Sequence, residues 1–229
     1  MTLDKTALTT LSVVKDELGI ASLNTDDDST LERKIRQASR MFKRITGRQF
    51  HEESGHKEKV PAFNLKRLMV EDHTPIQSIS KIELSLDGDL NEVDASNYEI
   101  ENADAGFIRR VNGGWQNTQS FYREIEPSQI EEYQQLYTVT YTGGYVTPQQ
   151  EADTGDTRDL PFDIEDAVID LVVQKFRSKG RDPNVASEKI MSTSIKYTDN
   201  ADTEGVFAGT TPLFSQVARS YMSARSRIA

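Results

Sequence analysis

The chain has 229 residues, room for one large domain or two small ones, and its 37 acidic against 27 basic residues give a formal charge of −10, which excludes a surface that grips phosphate all round. It has no cysteine, so disulfides, thiolate zinc sites and cysteine nucleophiles are excluded too. The opening MTLDKTALTTLSVV carries acids and threonines where a signal peptide needs a basic region and a continuous apolar stretch, and no apolar run approaches the roughly 20 residues that span a bilayer, so cytoplasmic synthesis and no membrane partner are expected.

Leu8, Leu11, Val14 and Leu18 recur at helical spacing between Thr6 and Leu18, and Gly19 stands where such a helix stops. After Asp26, Asp27 and Asp28 a second helix is predicted from Ser29 to Gly47, with Leu31, Ile35, Ala38, Phe42 and Ile45 on one stripe. Arg33, Arg36, Arg40, Lys43 and Arg44 lie off that stripe. From Ser29 to Phe50 there are seven basic residues and one acid, Glu32. That face reads either as a solvated helix surface or as a contact for an acidic neighbouring chain or for phosphate.

From Phe50 to Tyr145 the period changes to two, with strands predicted at Ser78 to Leu86, Tyr98 to Ile100, Gly106 to Arg109 and Tyr137 to Tyr141. Asp87-Gly88, Asn112-Gly113-Gly114 and Gly143-Gly144 read as turns in an antiparallel sheet. Ser54 to Lys59 and Ser120 to Gln135 are polar and read as excursions from it. Between Glu124 and Asp166 eleven acids meet one base, Arg158, so the acidity is concentrated there.

Pro161 opens a third long helix to about Lys179, in which Ile164, Ala167, Val168, Ile169, Leu171, Val172, Val173 and Phe176 cover more than half the circumference. One sheet cannot cover so wide a surface, so this helix is central to the monomer, packs on a neighbouring subunit, or does both. A strand is predicted at Lys189 to Tyr197 and a last helix at Pro212 to Ser226, striped by Leu213, Val217, Tyr221 and Ala224. No acid follows Glu204, which leaves a basic tail with Arg219, Arg225 and Arg227.

Signals for chemistry are weak. The histidines are His51, His56 and His73. His51-Glu52-Glu53-Ser54-Gly55-His56 spaces its histidines five apart around a glycine, where a zinc protease needs them four apart on one helical face, so these read as exposed loop histidines and no metal or cofactor is expected. Asp153-Thr154-Gly155 spells the aspartic protease triplet without its apolar flanks and reads as a polar loop. Asp153, Asp156 and Asp159 lack the alternation and terminal Glu of a calcium loop. No phosphate-binding glycine loop or nucleophile elbow is present. Active sites built from distant carboxylates leave no local signature, so a metal-dependent hydrolase using His51, His56 and the Asp153 cluster stays open as a minor alternative.

The order of features carries a resemblance. Leu18-Gly19-Ile20 closes a short helix, and Ile45-Thr46-Gly47-Arg48-Gln49-Phe50 closes the next. Val139-Thr140-Tyr141-Thr142-Gly143-Gly144-Tyr145 precedes Pro161-Phe162-Asp163-Ile164-Glu165-Asp166-Ala167. Val185-Ala186-Ser187-Glu188-Lys189-Ile190, a strand ending Lys196-Tyr197 and a helix holding Val217 to Tyr221 complete the series. Over nearly its whole length the chain resembles the head-to-tail connector, or adaptor, family of tailed bacteriophages, with a longer middle from Phe50 to Gln135 than the compact members have.

The resemblance implies an α+β fold, a bundle of about four helices with an inserted antiparallel β-sheet and long loops. The whole of 1–229 would be one adaptor domain: a helical pair at 1–50, a β-rich insertion at 51–150, a central helix at 161–180, and a strand with a docking helix and tail at 189–229. It implies a non-enzymatic virion protein, made in the host cytoplasm, that forms a ring, usually of twelve copies in the family, beneath the portal and extends the DNA channel towards a downstream neck or tail protein. Double-stranded DNA would pass without specific binding. The portal-docking residues carried over are Leu213, Val217, Arg219, Tyr221, Arg225, Arg227 and Ile228. Subunit contacts fall to Arg33, Arg36, Arg40, Lys43, Arg44, Val168, Val172 and Phe176, and Glu151, Asp153, Asp156 and Asp159 are candidate channel acids. A stopper or tail terminator is the structural alternative, although those are mostly smaller β-barrels. A nucleic-acid module working through the basic second helix is another.

Overall fold

The structure, a computed structural model, describes residues 3–62, 65–86, 89–116, 137–178, 187–190, 193–196 and 209–222. They form an α+β chain that divides into two compact units, one of Met1–Gly47 with Val146–Ala229, the other of Arg48–Tyr145.

The first unit is helical. Helix α1 (Leu11–Leu18) starts where Thr10 Oγ1 accepts the Val13 N–H at 3.4 Å and ends at Gly19, whose φ of 68° is the left-handed conformation that closes a helix. Helix α2 (Asp28–Thr46) buries the predicted stripe, with Leu31, Ile35, Ala38 and Phe42 at 0% exposure and Ile45 at 1%. Lys15 joins the two helices, its buried ammonium 2.7 Å from Asp28 and donating to the Ser22 carbonyl at 3.0 Å. Helix α3 (Pro148–Thr154) was not expected. Proline at its first position and a reciprocal capping box between Thr147 and Gln150 nucleate it, and Gly155 closes it. Asp153-Thr154-Gly155, expected as a polar loop, is therefore a helix end.

Helix α4 (Phe162–Arg177) buries Ile164, Ala167, Val168, Leu171, Val172 and Val173 among α1, α2 and the last described helix, α5 (Pro212–Tyr221). Three helices around it account for its wide apolar surface. Helix α5 begins where Thr211 Oγ1 accepts the Phe214 N–H, and sends Phe214 edge-on to Phe42 at a ring separation of 5.3 Å.

Beside these apolar side chains stands an acid. Glu165 accepts from the Thr9 hydroxyl at 3.2 Å and pairs with Arg158 at 2.8 Å, yet burial pushes its carboxyl above the usual range against the pull of Arg158. A group whose pKa is raised on folding contributes stability at pH below its unfolded pKa and loses it as pH rises through the folded one. The stability of the wild type relative to Glu165→Gln is therefore expected to grow as pH falls from 7 to 4 in matched urea melts; a gap that is flat or shrinks shows a carboxyl that burial does not raise.

The second unit holds two antiparallel sheets. One has the order β1-β7-β3-β4, built from β1 (Glu53–Val60), β3 (Ile76–Leu86), β4 (Asp89–Val93) and β7 (Tyr137–Gly143). The other has the order β2-β6-β5, from β2 (Arg67–Met69), β5 (Tyr98–Asn102) and β6 (Phe107–Arg110). Their shared core includes Val60, Leu68, Val70, Ile82, Ile108, Val139 and Trp115, which meets Tyr137 edge-on at 5.2 Å. Ser54 to Lys59, expected outside the sheet, is paired strand, because only alternate positions need to be buried and Glu58 and Val60 fill them. Ser120 to Gln135 and the Asp87-Gly88 turn lie outside the described residues. The strand predicted at Lys189 to Tyr197 is a hairpin of β8 (Ser187–Ile190) and β9 (Thr193–Lys196). No helix among the described residues is long and apolar enough to cross a membrane.

Candidate functional site

The expected interface residues separate into exposed and enclosed groups. On α2, Arg33, Arg40, Lys43 and Arg44 are exposed, whereas Arg36 is half-buried and lies 3.8 Å from Glu32 one turn back. Burial, with the nearby Arg44 adding to it, lowers the pKa of Lys175, and the Lys175 carbonyl accepts from Lys34 at 2.6 Å. Val168 and Val172, expected at a subunit contact, are fully buried inside the chain's own bundle, and Phe176 is half-buried. The geometry gives those valines to the fold, because helices of the same chain already cover their face of α4.

On α5, Leu213 is 43% exposed and Arg219 is exposed, but Val217 points into the bundle at 8% exposure. The Tyr221 hydroxyl, expected at an apolar anchor, donates to the Asp163 carboxylate at 3.2 Å. Arg225, Arg227 and Ile228 lie outside the described residues. Of the acids, Asp153, Asp156 and Asp159 are exposed and Glu151 is half-buried. Each aspartate has a partner close by in its own segment. Asp153 accepts from Gln149, Asp156 from Thr154, and Asp159 from the Val146 N–H at 2.7 Å.

Sequence reasoning missed a polar cluster in the second unit. The three histidines, expected exposed on loops, converge: His73 is 0% exposed and His51 5%, and His56 is half-buried. Their segments are tied by backbone hydrogen bonds, Gln49 N–H to Asp72, Glu52 N–H to Tyr145 and Tyr145 N–H to Phe50, all 2.7 Å. A bulge in β1 then sets the side chains. Glu53 pairs with Gly143 and His56 with Tyr141, so three residues on β1 oppose two on β7, with Gly55 at φ 69° in the extra position. In a regular strand residues three apart face opposite ways; the bulge puts Glu53 and His56 on one face. Glu53 Oε2 is then 3.1 Å from His73 Nε2 and 3.7 Å from both His51 Nε2 and His56 Nδ1.

Behind this group lies a buried Glu58. Its carboxylate accepts from the Tyr141 hydroxyl at 2.8 Å and from the backbone N–H groups of Glu71 and Asp72 at 3.0 and 3.2 Å, and the His73 N–H donates to the Tyr141 oxygen at 3.1 Å. Burial raises both pKa values, Glu58 upward against its donors and Tyr141 upward with the Glu58 charge adding to the effect. His56 Nε2 faces Asp72 at 3.4 Å. The only sequence signal for this cluster is the occurrence of histidine itself.

No protein-family model matches the sequence, and no curated protein matches it. The fold has solved counterparts. The chain is similar to a chain in the neck of an empty gene transfer agent particle computed with C6 symmetry, at TM-score 0.55 and 12% identity over 98% of this chain and 94% of that one. It is also similar to a chain in the neck of a native particle computed with C12 symmetry, at TM-score 0.54 and 14% identity over 98% and 93%. A third match is to a chain of the native gene transfer agent virion, at TM-score 0.53 and 15% identity over 98% and 94%.

Proposed function

We propose that this chain is a structural, non-enzymatic component of a phage-like virion neck, an adaptor that stands as a ring beneath the portal, joins head to tail and continues the DNA channel. The observation that carries this reading is the likeness of fold, along 98% of the chain, to a chain of a gene transfer agent neck. The symmetry of those necks, C6 or C12, supports a ring of repeated subunits, twelve in the fuller case.

A closed ring of one protein needs two different, mutually complementary patches on each copy. The helical unit has them: the exposed Arg33, Arg40, Lys43 and Arg44 of α2, and the exposed Asp153, Asp156 and Asp159 at and beyond α3. Basic face to acidic face of the next copy is the subunit contact. Acids left over from that contact serve the channel, since a duplex slides most freely where no Lys or Arg displaces the counterions of its phosphates. Portal docking falls to the outward side of α5, Leu213 and Arg219, and to the basic end with Arg225, Arg227 and Ile228. A downstream neck or tail protein completes the joint on the other side.

The test is co-assembly with the cognate portal, followed by light-scattering mass, for the full chain and for a chain ending at Met222. That end point keeps α5, whose Phe214 belongs to the bundle core. The full chain is expected to add a ring's mass to the portal and the shortened chain to lose most of it while keeping its circular dichroism. A folded full chain that ignores the portal overturns the adaptor reading.

A further inference from the structure

We propose that His51, Glu53 and His73 form a structural site for one divalent transition-metal ion of the zinc class, with His56 as the fourth donor. The inference is independent of the neck reading. It contradicts the sequence expectation of no metal, which rested on the spacing of His51 and His56 along a helix; the bulged strand supplies a different geometry.

Donor positions carry the argument. One ligand atom each from His51, Glu53 and His73 lies within 4.8 Å of the others, while His56 reaches this group through Glu53 at 3.7 Å and otherwise clusters with Glu58 and Asp72. In a tetrahedral zinc site with bonds of about 2.0–2.1 Å, donors stand roughly 3.3–3.4 Å apart. The separations here from Glu53 Oε2 to the three imidazole nitrogens, 3.1, 3.7 and 3.7 Å, bracket that value. A carboxylate oxygen has lone pairs for about two donors. Three imidazole nitrogens lie within 3.7 Å of Glu53 Oε2, two of them beyond hydrogen-bond distance, and a shared cation would draw all three to donor spacing.

The surroundings fit as well. Every histidine of the chain is in the cluster. Imidazole nitrogen with one carboxylate suits zinc, cobalt or nickel, and is a poor set for magnesium or calcium, which take oxygen ligands. Behind His56, Asp72 stands 3.4 Å from Nε2 without hydrogen-bond geometry, placed where a carboxylate can take up the N–H of a ligating imidazole. Glu53 is the most open member, its side chain 37% exposed, and gives the ion a way in, while the His73 side chain at 0% forms the closed back. With His56 drawn in as the fourth donor the coordination is full and leaves no position for substrate, so the role is structural: the ion fastens the stretch from His51 into β1 to the loop carrying His73.

The experiment uses the full chain, stripped with a chelator and dialysed, then titrated with Zn²⁺ against a chromophoric competitor, with Co²⁺ as the spectroscopic probe. One equivalent of Zn²⁺ per chain is expected, with a raised melting temperature and visible Co²⁺ bands of four-coordinate intensity. Glu53→Gln, isosteric and at a half-exposed position, with its fold checked by circular dichroism, is expected to weaken Zn²⁺ binding at least tenfold, and Asp72→Asn by about tenfold through the His56 imidazole it backs. Failure of the folded wild type to bind stoichiometrically overturns the site. So does Glu53→Gln binding with unchanged affinity, or a Co²⁺ spectrum of the hydrated ion.

Discussion

Phe214→Ala is expected to destabilise the helical unit by about 3–5 kcal/mol, the usual cost of removing a fully buried aromatic ring. Phe214 is 0% exposed and meets Phe42, also at 0%, edge-on at 5.3 Å, so truncation leaves a cavity and removes an aromatic pair at once. The neighbouring Leu213 is 43% exposed, and Leu213→Ala is expected to cost no more than about 0.5 kcal/mol. Urea denaturation of the two variants separates what α5 does for the fold from what it offers a partner. Equal, small losses in both would show that α5 is not part of the core. The same contrast governs deletions: ending the chain at Thr211 removes Phe214 and would produce an assembly defect through unfolding, whereas ending it at Met222 keeps Phe214 and the whole of α5.

What was legible in the sequence follows the reach of the signal. The α2 stripe reads directly because Leu31, Ile35, Ala38, Phe42 and Ile45 are all buried on one face and nothing competes with that pattern. The width of the α4 apolar surface also reads directly, but its cause does not: Val168 and Val172 are covered by helices of the same chain, and composition cannot distinguish those from a neighbouring subunit. Helix α3 is too short for a periodic signal and is set by its caps, Thr147 with Gln150 and Gly155. Strand β1 was hidden because its buried side includes a charged residue, Glu58, which hydropathy counts as solvent-facing although Tyr141 and two backbone N–H groups hold it inside. The histidine cluster was least legible of all. It depends on a one-residue bulge in the stretch from His51 to His56 and on the approach of the His73 segment to it, and both are properties of pairing register.

Gly144→Ala is expected to cost about 3 kcal/mol or more, for two reasons that act on the same residue. Gly144 has φ 96°, a conformation that costs an L side chain on the order of 1–3 kcal/mol. A Cβ there would also press on the His51 carbonyl, 2.7 Å from its carbon and closer still to its oxygen, and that backbone is fixed by its pairing with Tyr145. At Gly143 the obstacle is the carbonyl oxygen of His73, so the glycine pair that looks like a hairpin turn in the sequence is where two histidine-bearing segments pass against β7. Gly55→Ala is the control: φ is 69°, but a Cβ there meets nothing within 4 Å, so strain acts alone and about 1–2 kcal/mol is expected. Denaturant melts of both variants measure the difference, and equal losses would show that close approach contributes nothing at Gly144. If His51 ligates metal as proposed, Gly144→Ala should also lower Zn²⁺ affinity in whatever fraction stays folded, because the displaced carbonyl belongs to that ligand's own backbone, whereas Gly55→Ala acts on the bulge that brings Glu53 and His56 to one face. Two glycines that look alike in the sequence are thus expected to differ in stability by the contact that only one of them makes.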